Sequence, residues 1–357
     1  MNVALVSLRS KSSLMILKAL KNYFQEVKDL DIRKIEVSLG VGKLDVLYEG
    51  KPMEQFDCVY CRGSFRYAPL LRSITRALSH TSFLPIAATT FTIGHDKLLT
   101  HLALQKYKIP MPTTYLTSSA QAAKKILEKI NYPIMMKFPS GTGGKGVMFA
   151  ESYAAASSML DALETLKQPF LIQEYVETGG VDIRAIVVDD KVVASMKRKA
   201  NVGEKRSNIH AGGVGEPYQL DAYTKKIAVE TAQSIGAQIC AVDILESPKG
   251  PLVIEANLSP GLQGITKATK IDVADKIAKF LYQKSKAIKE SGKQEGAKKI
   301  FEELGVQPAQ HIISNLDFRA GRILLPKIVS DITQFTDKEE LVIKAKKGSL
   351  SIESANK

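Results

Sequence analysis

The stretch 239–261, ICAVDILESPKGPLVIEANLSPG, places two apolar runs on either side of Ser247-Pro248-Lys249-Gly250-Pro251. Strand-like arms around a Pro and Gly turn predict a β-hairpin. A three-residue loop built on a type I turn would put Pro248 at the first turn position and Gly250 at the left-handed one, so that Ser247 pairs with Pro251. Counting back from that pair keeps the index sum at 498 and sets Asp243 opposite Glu255. Opposed residues share a face with Cβ atoms about 4.5–5.5 Å apart, and Asn257, two residues on, shares that face.

Two carboxylates facing each other inside apolar strands repel and resist ionisation unless something positive compensates them. A divalent cation is one answer. Two carboxylates plus an amide carbonyl form a hard oxygen set suited to Mg2+ (or Mn2+), which shares its remaining positions with water and substrate phosphates. The alternative is a half-exposed sheet face carrying ordinary surface acids. Glu-Ala-Asn lies in a run too apolar for casual charge, which favours the metal.

A second feature is the glycine-rich loop Ser140-Gly141-Thr142-Gly143-Gly144-Lys145-Gly146, which follows a strand-like run ending near Lys137. Backbone amides in such a loop can wrap phosphate oxygens. It is not a Walker A motif, because Pro139 and Gly146 occupy positions that need Gly and Ser or Thr. Nor does it open a helix, since VMFA continues as strand; taken alone, a bland glycine turn fits equally well. Further along, Arg184, Arg198, Lys199 and Arg206 lie close to polar, glycine-containing backbone. Cations converging on a metal and a phosphate loop are what phosphoryl transfer needs, although the same run could be a solvated basic loop.

Composition excludes several classes. In 357 residues, 45% are hydrophobic and 24% charged, which describes a globular chain and not a disordered one. No apolar stretch reaches the roughly 18–20 uncharged residues of a membrane helix, and Arg9 and Lys11 interrupt the N-terminal apolar run, so a cytoplasmic protein with no membrane partner is expected. Cys58, Cys61 and Cys240 cannot build a disulfide framework, and the CxxC pair sits in a strand-like run with no second ligand pair nearby. The five histidines show no metal-binding spacing. A net charge of +13 suits nucleic acid, an acidic partner or anionic small substrates without choosing among them.

Along the chain, VALVSL, an amphipathic SLMILKALKNYF with Ser12 and Ser13 as candidate caps, and FDCVYCRG, a strand ending near Arg62, predict an open α/β domain over about 1–92. From 93 to 284 the pattern becomes α+β, with helices at QAAKKILEKI, AYTKKIAVETAQSIGA and KIDVADKIAKFLYQKSKA between β-rich runs. The Lys-rich stretch within 285–310 reads as a charged linker. Residues 311–357 form a small β-rich module.

These residues resemble the RimK-type branch of the ATP-grasp ligases. The resemblance is carried by HDK (95–97), MMKFPSGTGGKGV (135–147), LIQEYV (171–176), DIRAIVV (182–188), KRSNIHAGG (205–213), AVDIL (241–245) and EANLSPGLQGI (255–265). It implies an ATP-grasp architecture of the mixed α/β and α+β class, with ATP between two antiparallel sheets. Lys97 and Lys137 would contact phosphates and the adenine side under Gly143 and Gly144. Gln173, Glu174, Tyr175 and Val176 would form the adenine hinge, and Asp182 would take the ribose hydroxyls. Arg206, Ser207 and Asn208 would face the triphosphate, and Asp243, Glu255 and Asn257 would bind Mg2+.

The implied reaction is ATP-dependent joining of a carboxylate to the amine of an amino acid, commonly glutamate, through an acyl phosphate. Arg206 would hold the transferring group, while Arg184 and the turn at Ser259 and Gly261 would orient the carboxylate or the amino acid. The acceptor is an anionic coenzyme, small molecule or acidic protein tail.

Residues 317–354 resemble the AbrB-type swapped-hairpin module, with Thr336-Asp337-Lys338 where the module's glycine-plus-acid turn is typical. This implies a homodimer or higher oligomer and raises contact with nucleic acid as a second possibility. The rival reading of the whole chain is a nucleotide-sensing DNA-binding regulator.

Overall fold

The computed structural model describes residues 1–41, 43–117, 119–141, 146–165, 169–199, 214–303 and 317–355, with the backbone alone at 43, 214 and 292–303. The chain divides into two compact units, 1–293 and 294–357.

The first unit opens with β1 (Asn2–Ser7), α1 (Lys11–Leu20), β2 (Glu26–Asp31), β3 (Ile35–Gly40), β4 (Lys43–Tyr48), β5 (Lys51–Pro52) and β6 (Cys58–Cys61). Helices α2 (Ala68–Leu78), α3 (Ala88–Ile93) and α4 (Lys97–Lys106) follow. Strands β2, β1 and β6 make a parallel sheet with β1 in the centre. A central parallel strand is covered on both faces, which is why VALVS is almost wholly buried and why all four residues of β6 are too. The expected CxxC thiols therefore sit in the core. Burial pushes Cys58 and Cys240 up to about 12, which leaves them unreactive. Strands β3, β4 and β5 form a separate antiparallel sheet. Helix α1 is capped by Ser10, whose hydroxyl accepts from the Ser13 amide, and not by Ser12 or Ser13 as the sequence suggested.

Next come β7 (Thr114–Leu116), α5 (Ala120–Leu127), β8 (Ile134–Lys137), β9 (Val147–Ala150), α6 (Tyr153–Thr165) and β10 (Leu171–Glu174). The four strands form an antiparallel sheet in the order β7-β10-β8-β9. Its apolar face and helices α5 and α6 close a small core of their own around Leu127, Ile134, Met136 and Leu160.

A second antiparallel sheet holds β11 (Val181–Val188), β12 (Lys191–Lys199), β13 (Val214–Pro217), β14 (Ile239–Ser247) and β15 (Gly250–Asn257), in the order β13-β12-β11-β14-β15. Helix α7 (Ala222–Ser234) packs on it; α8 (Gln263–Thr269) and α9 (Val273–Glu303) follow. This sheet shares one continuous core with the N-terminal parallel sheet, from Leu5 through Ile244 to Leu281. Two sheets with separate cores, joined along one chain, are the arrangement in which a ligand can lie between them.

Much of the expected linker is helix. Helix α9 runs on to Glu303, while 304–310 lie outside the described residues. Ala, Lys, Glu and Gln dominate that stretch and are strong helix formers, which offsets a cost of about 1 kcal/mol for each interior glycine. A Lys286–Glu290 pair at 3.9 Å, one turn apart, adds a little.

In the second unit, β16 (Asp317–Arg319) pairs with β17 (Arg322–Leu324), and β18 (Leu341–Lys346) pairs with β19 (Ser349–Ser354). Helix α10 (Lys327–Thr333) lies between the hairpins in sequence. None of the described residues in 317–355 is buried.

Candidate active site

The β14–β15 hairpin pairs Asp243 with Glu255, as expected, but by a different route. Ser247 pairs with Gly250 across a two-residue turn, so the register near the turn is one residue shorter than expected. A bulge between Asp243 and Ile244 then restores it. Gly250 takes the positive φ, 108°, that the turn chemistry required.

Period-two alternation collects the charged residues on one face of the five-stranded sheet. Arg184 on β11 lies opposite Asp243 on β14, which lies opposite Glu255 on β15. One step along, Asp182 on β11 lies opposite Arg198 on β12. The Arg184 guanidinium donates to both Asp243 oxygens, Nε at 2.8 Å and Nη2 at 2.7 Å. Arg198 grips Asp182 in the same way, at 2.6 and 2.5 Å, and its Nη2 also reaches Asp243 Oδ2 at 2.9 Å. Asp182, Arg198 and Asp243 are each at most 5% exposed. Such fork-on-fork pairs fix side chains in direction as well as in charge.

The two carboxylates of the hairpin differ. The flanking guanidinium groups outweigh burial at Asp243 and hold its carboxyl below the usual carboxylate range. Burial, reinforced by the Asp243 charge, pushes Glu255 up, with Lys97, Arg184 and Lys137 opposing. Glu255 is therefore the group that an added cation would satisfy most. Asn257 Nδ2 lies 3.4 Å from Asp243 Oδ2. A cavity of about 240 Å³ opens beside this face, and Lys97, Gly141, Glu255, Asn257 and Ser259 line it.

Helix α4 points its first turn at the start of the glycine loop. Asp96 caps it by accepting from the Leu99 amide, the Lys97 amide donates to Pro139 O at 3.0 Å, and Lys97 Nζ donates to Gly141 O at 3.3 Å. Lys137, at the end of β8, donates to Gln173 Oε1 on the neighbouring β10 at 2.5 Å, and Gln173 Nε2 donates to Thr114 Oγ1 at 2.8 Å. Burial lowers Lys137 to about 8, so an anion beside it would favour its charged form. Glu174 ends β10 with an exposed side chain and donates its amide to Thr113 O. Tyr175 and Val176 follow half-buried, and the Tyr175 ring meets Phe149 edge-on, with centroids 5.1 Å apart.

Two expected contacts look different here. Asp182, expected at the ribose, has both oxygens engaged by Arg198 beneath Asp243. Arg184, expected to orient a substrate, commits Nε and Nη2 to Asp243. The turn at Ser259 and Gly261 is tied to the N-terminal domain: Ser259 Oγ accepts from the Gly63 amide at 2.9 Å, and Pro260 O accepts from Arg62 Nη2 at 2.7 Å. Sequence reasoning did not anticipate that link. Gly143, Gly144, Arg206, Ser207 and Asn208 lie outside the described residues.

Comparison with known proteins agrees with this geometry. The family described as "RimK-like ATP-grasp domain" matches residues 94–281. A probable alpha-L-glutamate ligase of Thioalkalivibrio sulfidiphilus is 35% identical over 291 residues, covering 80% of this chain and 97% of that protein. A protein of the same description from Vibrio cholerae is 35% identical over 283 residues, covering 78% and 94%. Among solved structures, the RimK domain protein ATP-grasp from Sphaerobacter thermophilus superposes with a TM-score of 0.62 at 21% identity, covering 79% of this chain and 99% of that one. The ATP-grasp ligase PsnB, solved with a minimal precursor variant, Mg and ADP, gives 0.63 at 16% identity, covering 80% and 98%. Nothing in these similarities supports the DNA-binding regulator. With a charged cavity beside the last strand of the five-stranded antiparallel sheet, a family match over more than half its length and relatives at 35% identity along four-fifths of it, the chain belongs to the RimK-like ATP-grasp family.

Proposed function

We propose that this protein is an ATP-dependent carboxylate–amine ligase that adds L-glutamate to an acceptor carboxylate. The observation that carries the reading is the Arg184–Asp243–Glu255 row beside a cavity lined by Lys97 and Asn257. Glutamate comes from the description of the relatives as probable alpha-L-glutamate ligases.

In this reading, ATP lies between the two sheets. Glu174, Tyr175 and Val176 flank the adenine, Gln173 holds Lys137 toward the phosphates, and Lys97 meets them from the start of α4. Glu255, Asn257 and Asp243 would hold Mg2+ through hard oxygens, and Mn2+ would meet the same set. Among the described residues no three His, Cys, Asp or Glu side chains gather to hold a metal, and the amide of Asn257 with nucleotide oxygens would add to the two carboxylates. A bound Mg2+ would neutralise charge developing on the phosphates. Arg184 and Arg198 keep Asp243 ionised and aimed, a positioning role to which Asp182 contributes by anchoring Arg198. Gly143 and Gly144 would cover the phosphates, and Arg206, Ser207 and Asn208 would face the triphosphate.

The γ-phosphoryl group passes to an oxygen of the acceptor carboxylate and ADP leaves. The amine nitrogen of glutamate then attacks the acyl carbon, phosphate departs with the electron pair of the C–O bond, and the nitrogen sheds a proton. Arg184, Ser259 and Gly261 would stand beside these groups. The acceptor is an anionic coenzyme, small molecule or acidic protein tail. The test is phosphate release from ATP and Mg2+ with L-glutamate and candidate acceptors, alongside mass spectrometry of the acceptor. Acceptor-dependent release with one or more glutamate mass increments supports the reading; release without any mass change on the acceptor contradicts it.

The second unit supports a further proposal, a homodimer held through residues 317–355 in the manner of the AbrB-type module. Phe318 and Ile343 are more than half exposed there, as is Ile328. Two hairpins and one short helix have too little area to bury these side chains within one chain.

A further inference from the structure

Arg62 follows β6 and is only 3% exposed. A guanidinium keeps its charge throughout the working pH range and offers five N–H donors. Nη2 donates to Pro260 O at 2.7 Å and Nη1 to the Tyr60 hydroxyl at 3.1 Å, while Nε is buried and bonds nothing. Among the described residues no carboxylate pairs with it. Glu255, in the same cavity, is acted on by Lys97, Arg184 and Lys137. A buried cation without a counter-charge is costly, by several kcal/mol even after relaxation, so the position favours an anion.

The surroundings point the same way. The cavity that Glu255 and Asn257 line is also lined by Arg62, Ser10 and Ser13. Ser10 caps the ten-residue α1 and Ser13 lies in its first turn, and their hydroxyls lie 3.1 Å apart. A helix start carries positive potential, and the two hydroxyls add hydrogen-bonding capacity.

The geometry points to a carboxylate subsite formed by Arg62 with Ser10 and Ser13, which holds a non-reacting carboxylate of the incoming amino acid while its amine faces Glu255 and Asn257. The assignment rests on the ligase reading above. In that reaction the acceptor's carboxylate must reach the phosphates, whereas the amino acid reacts through nitrogen and its carboxylates need a separate anchor. A cavity of about 240 Å³ takes a compact anion and not a folded acceptor. Orientation by one such anchor is how a bound amine is brought to attack distance.

The test is calorimetric titration of L-glutamate into the full chain with Mg2+ and a non-hydrolysable ATP analogue, with the affinity for the analogue measured alongside. Loss of a hydrogen-bonded charge partner predicts a glutamate Kd raised about 10- to 100-fold in Arg62→Gln, less in Arg62→Lys, and about threefold in Ser13→Ala, with nucleotide affinity unchanged. Unchanged glutamate affinity in a folded Arg62 variant overturns the proposal. So does joint loss of glutamate and nucleotide, which would make Arg62 only a brace for the 259–261 turn. Where the Arg62 variants do not fold, Ser13→Ala decides: an unaltered Kd overturns the subsite. Wild-type protein that binds the analogue but no L-glutamate defeats the choice of amino acid itself, and the subsite with it, an outcome distinct from failure of the variants alone.

Discussion

The two units of this chain solve the problem of burial in opposite ways. In 1–293 the apolar residues are inside: Leu5, Ile244 and Leu281 belong to one core shared by two sheets, and Ile134 and Leu160 to another. In 317–355 the same residue types face outward, with Phe318 67% and Ile343 62% exposed. The contrast teaches where each part gets its stability. A body with its own cores can hold charged groups rigidly on a sheet face. In the proposed dimer, a unit of two hairpins and one short helix would take the missing surface from a second copy.

The largest effect that probes this contrast falls in the body. Glu255→Gln removes the carboxylate whose burial calls for a cation, and it should lower turnover roughly thousandfold while far-UV circular dichroism and cooperative unfolding stay intact. Turnover within a few-fold of wild type would mean that Glu255 is an ordinary buried acid.

A pair of core substitutions sharpens the comparison. Leu5 is fully buried, so Leu5→Ala should destabilise the body by about 2–5 kcal/mol in a denaturant titration. Ile343→Ala in dilute protein should change the same transition by less than about 0.5 kcal/mol. Equal losses would show that the two units share a core. Phe318→Ser tests the borrowed surface itself: the dimer dissociation constant, read by analytical ultracentrifugation, should rise about tenfold with turnover per chain unchanged. A wild-type chain that stays monomeric at every concentration would remove the dimer.

The smallest effect is a proton count. Lys137 sits near 8 when folded, below the ordinary lysine value of 10.5, so the unfolded chain binds this proton more readily. Its contribution to stability therefore rises with pH from about 8 to the unfolded value and is unfavourable below that window. An anion beside it raises the folded value back toward the ordinary one and shrinks this contribution. ADP binding near pH 8.5 should take up a fraction of a proton, measured by calorimetry in buffers of different ionisation enthalpy, and Lys137→Met should abolish the uptake.

Much of the body was legible because its signals are local. The alternation of apolar residues in 239–257 and the Pro-Lys-Gly turn marked a hairpin and paired Asp243 with Glu255. Even so, the pairing was reached through two offsetting differences: the loop is one residue shorter than its chemistry suggested, and a bulge next to Asp243 compensates. A bulge leaves little trace in sequence, since it answers to the twist of the neighbouring strand. Helix α6, YAAASSMLDALET, went unrecognised because its alanines mask the helical spacing of Leu160 and Leu163. The β3–β4 hairpin was missed although Gly40 and Gly42 supply turn residues at its tip. The Lys-rich run after 283 looked like a linker on charge alone, yet its Ala and Glu content carries α9 to Glu303.

The site divides in the same fashion. Residues fixed by the alternation within one hairpin, Asp243, Glu255 and Asn257, could be placed on one face in advance, whereas Arg184 joins them through the pairing of β11 with β14. Arg198 bridging Asp182 and Asp243 could not, because that contact depends on the register of three strands at once. The tie from Arg62 and Gly63 to the 259–261 turn joins residues nearly two hundred positions apart, and no local pattern encodes it.

The most direct measurement is the Mg2+ dependence of ADP affinity, titrated by calorimetry in wild type and in Glu255→Gln. If the acidic face of the β14–β15 hairpin grips a metal–nucleotide complex, Mg2+ should tighten ADP binding about tenfold or more in wild type and have little effect in the variant. An equal response to Mg2+ in both proteins would contradict the metal site on which the reaction is built.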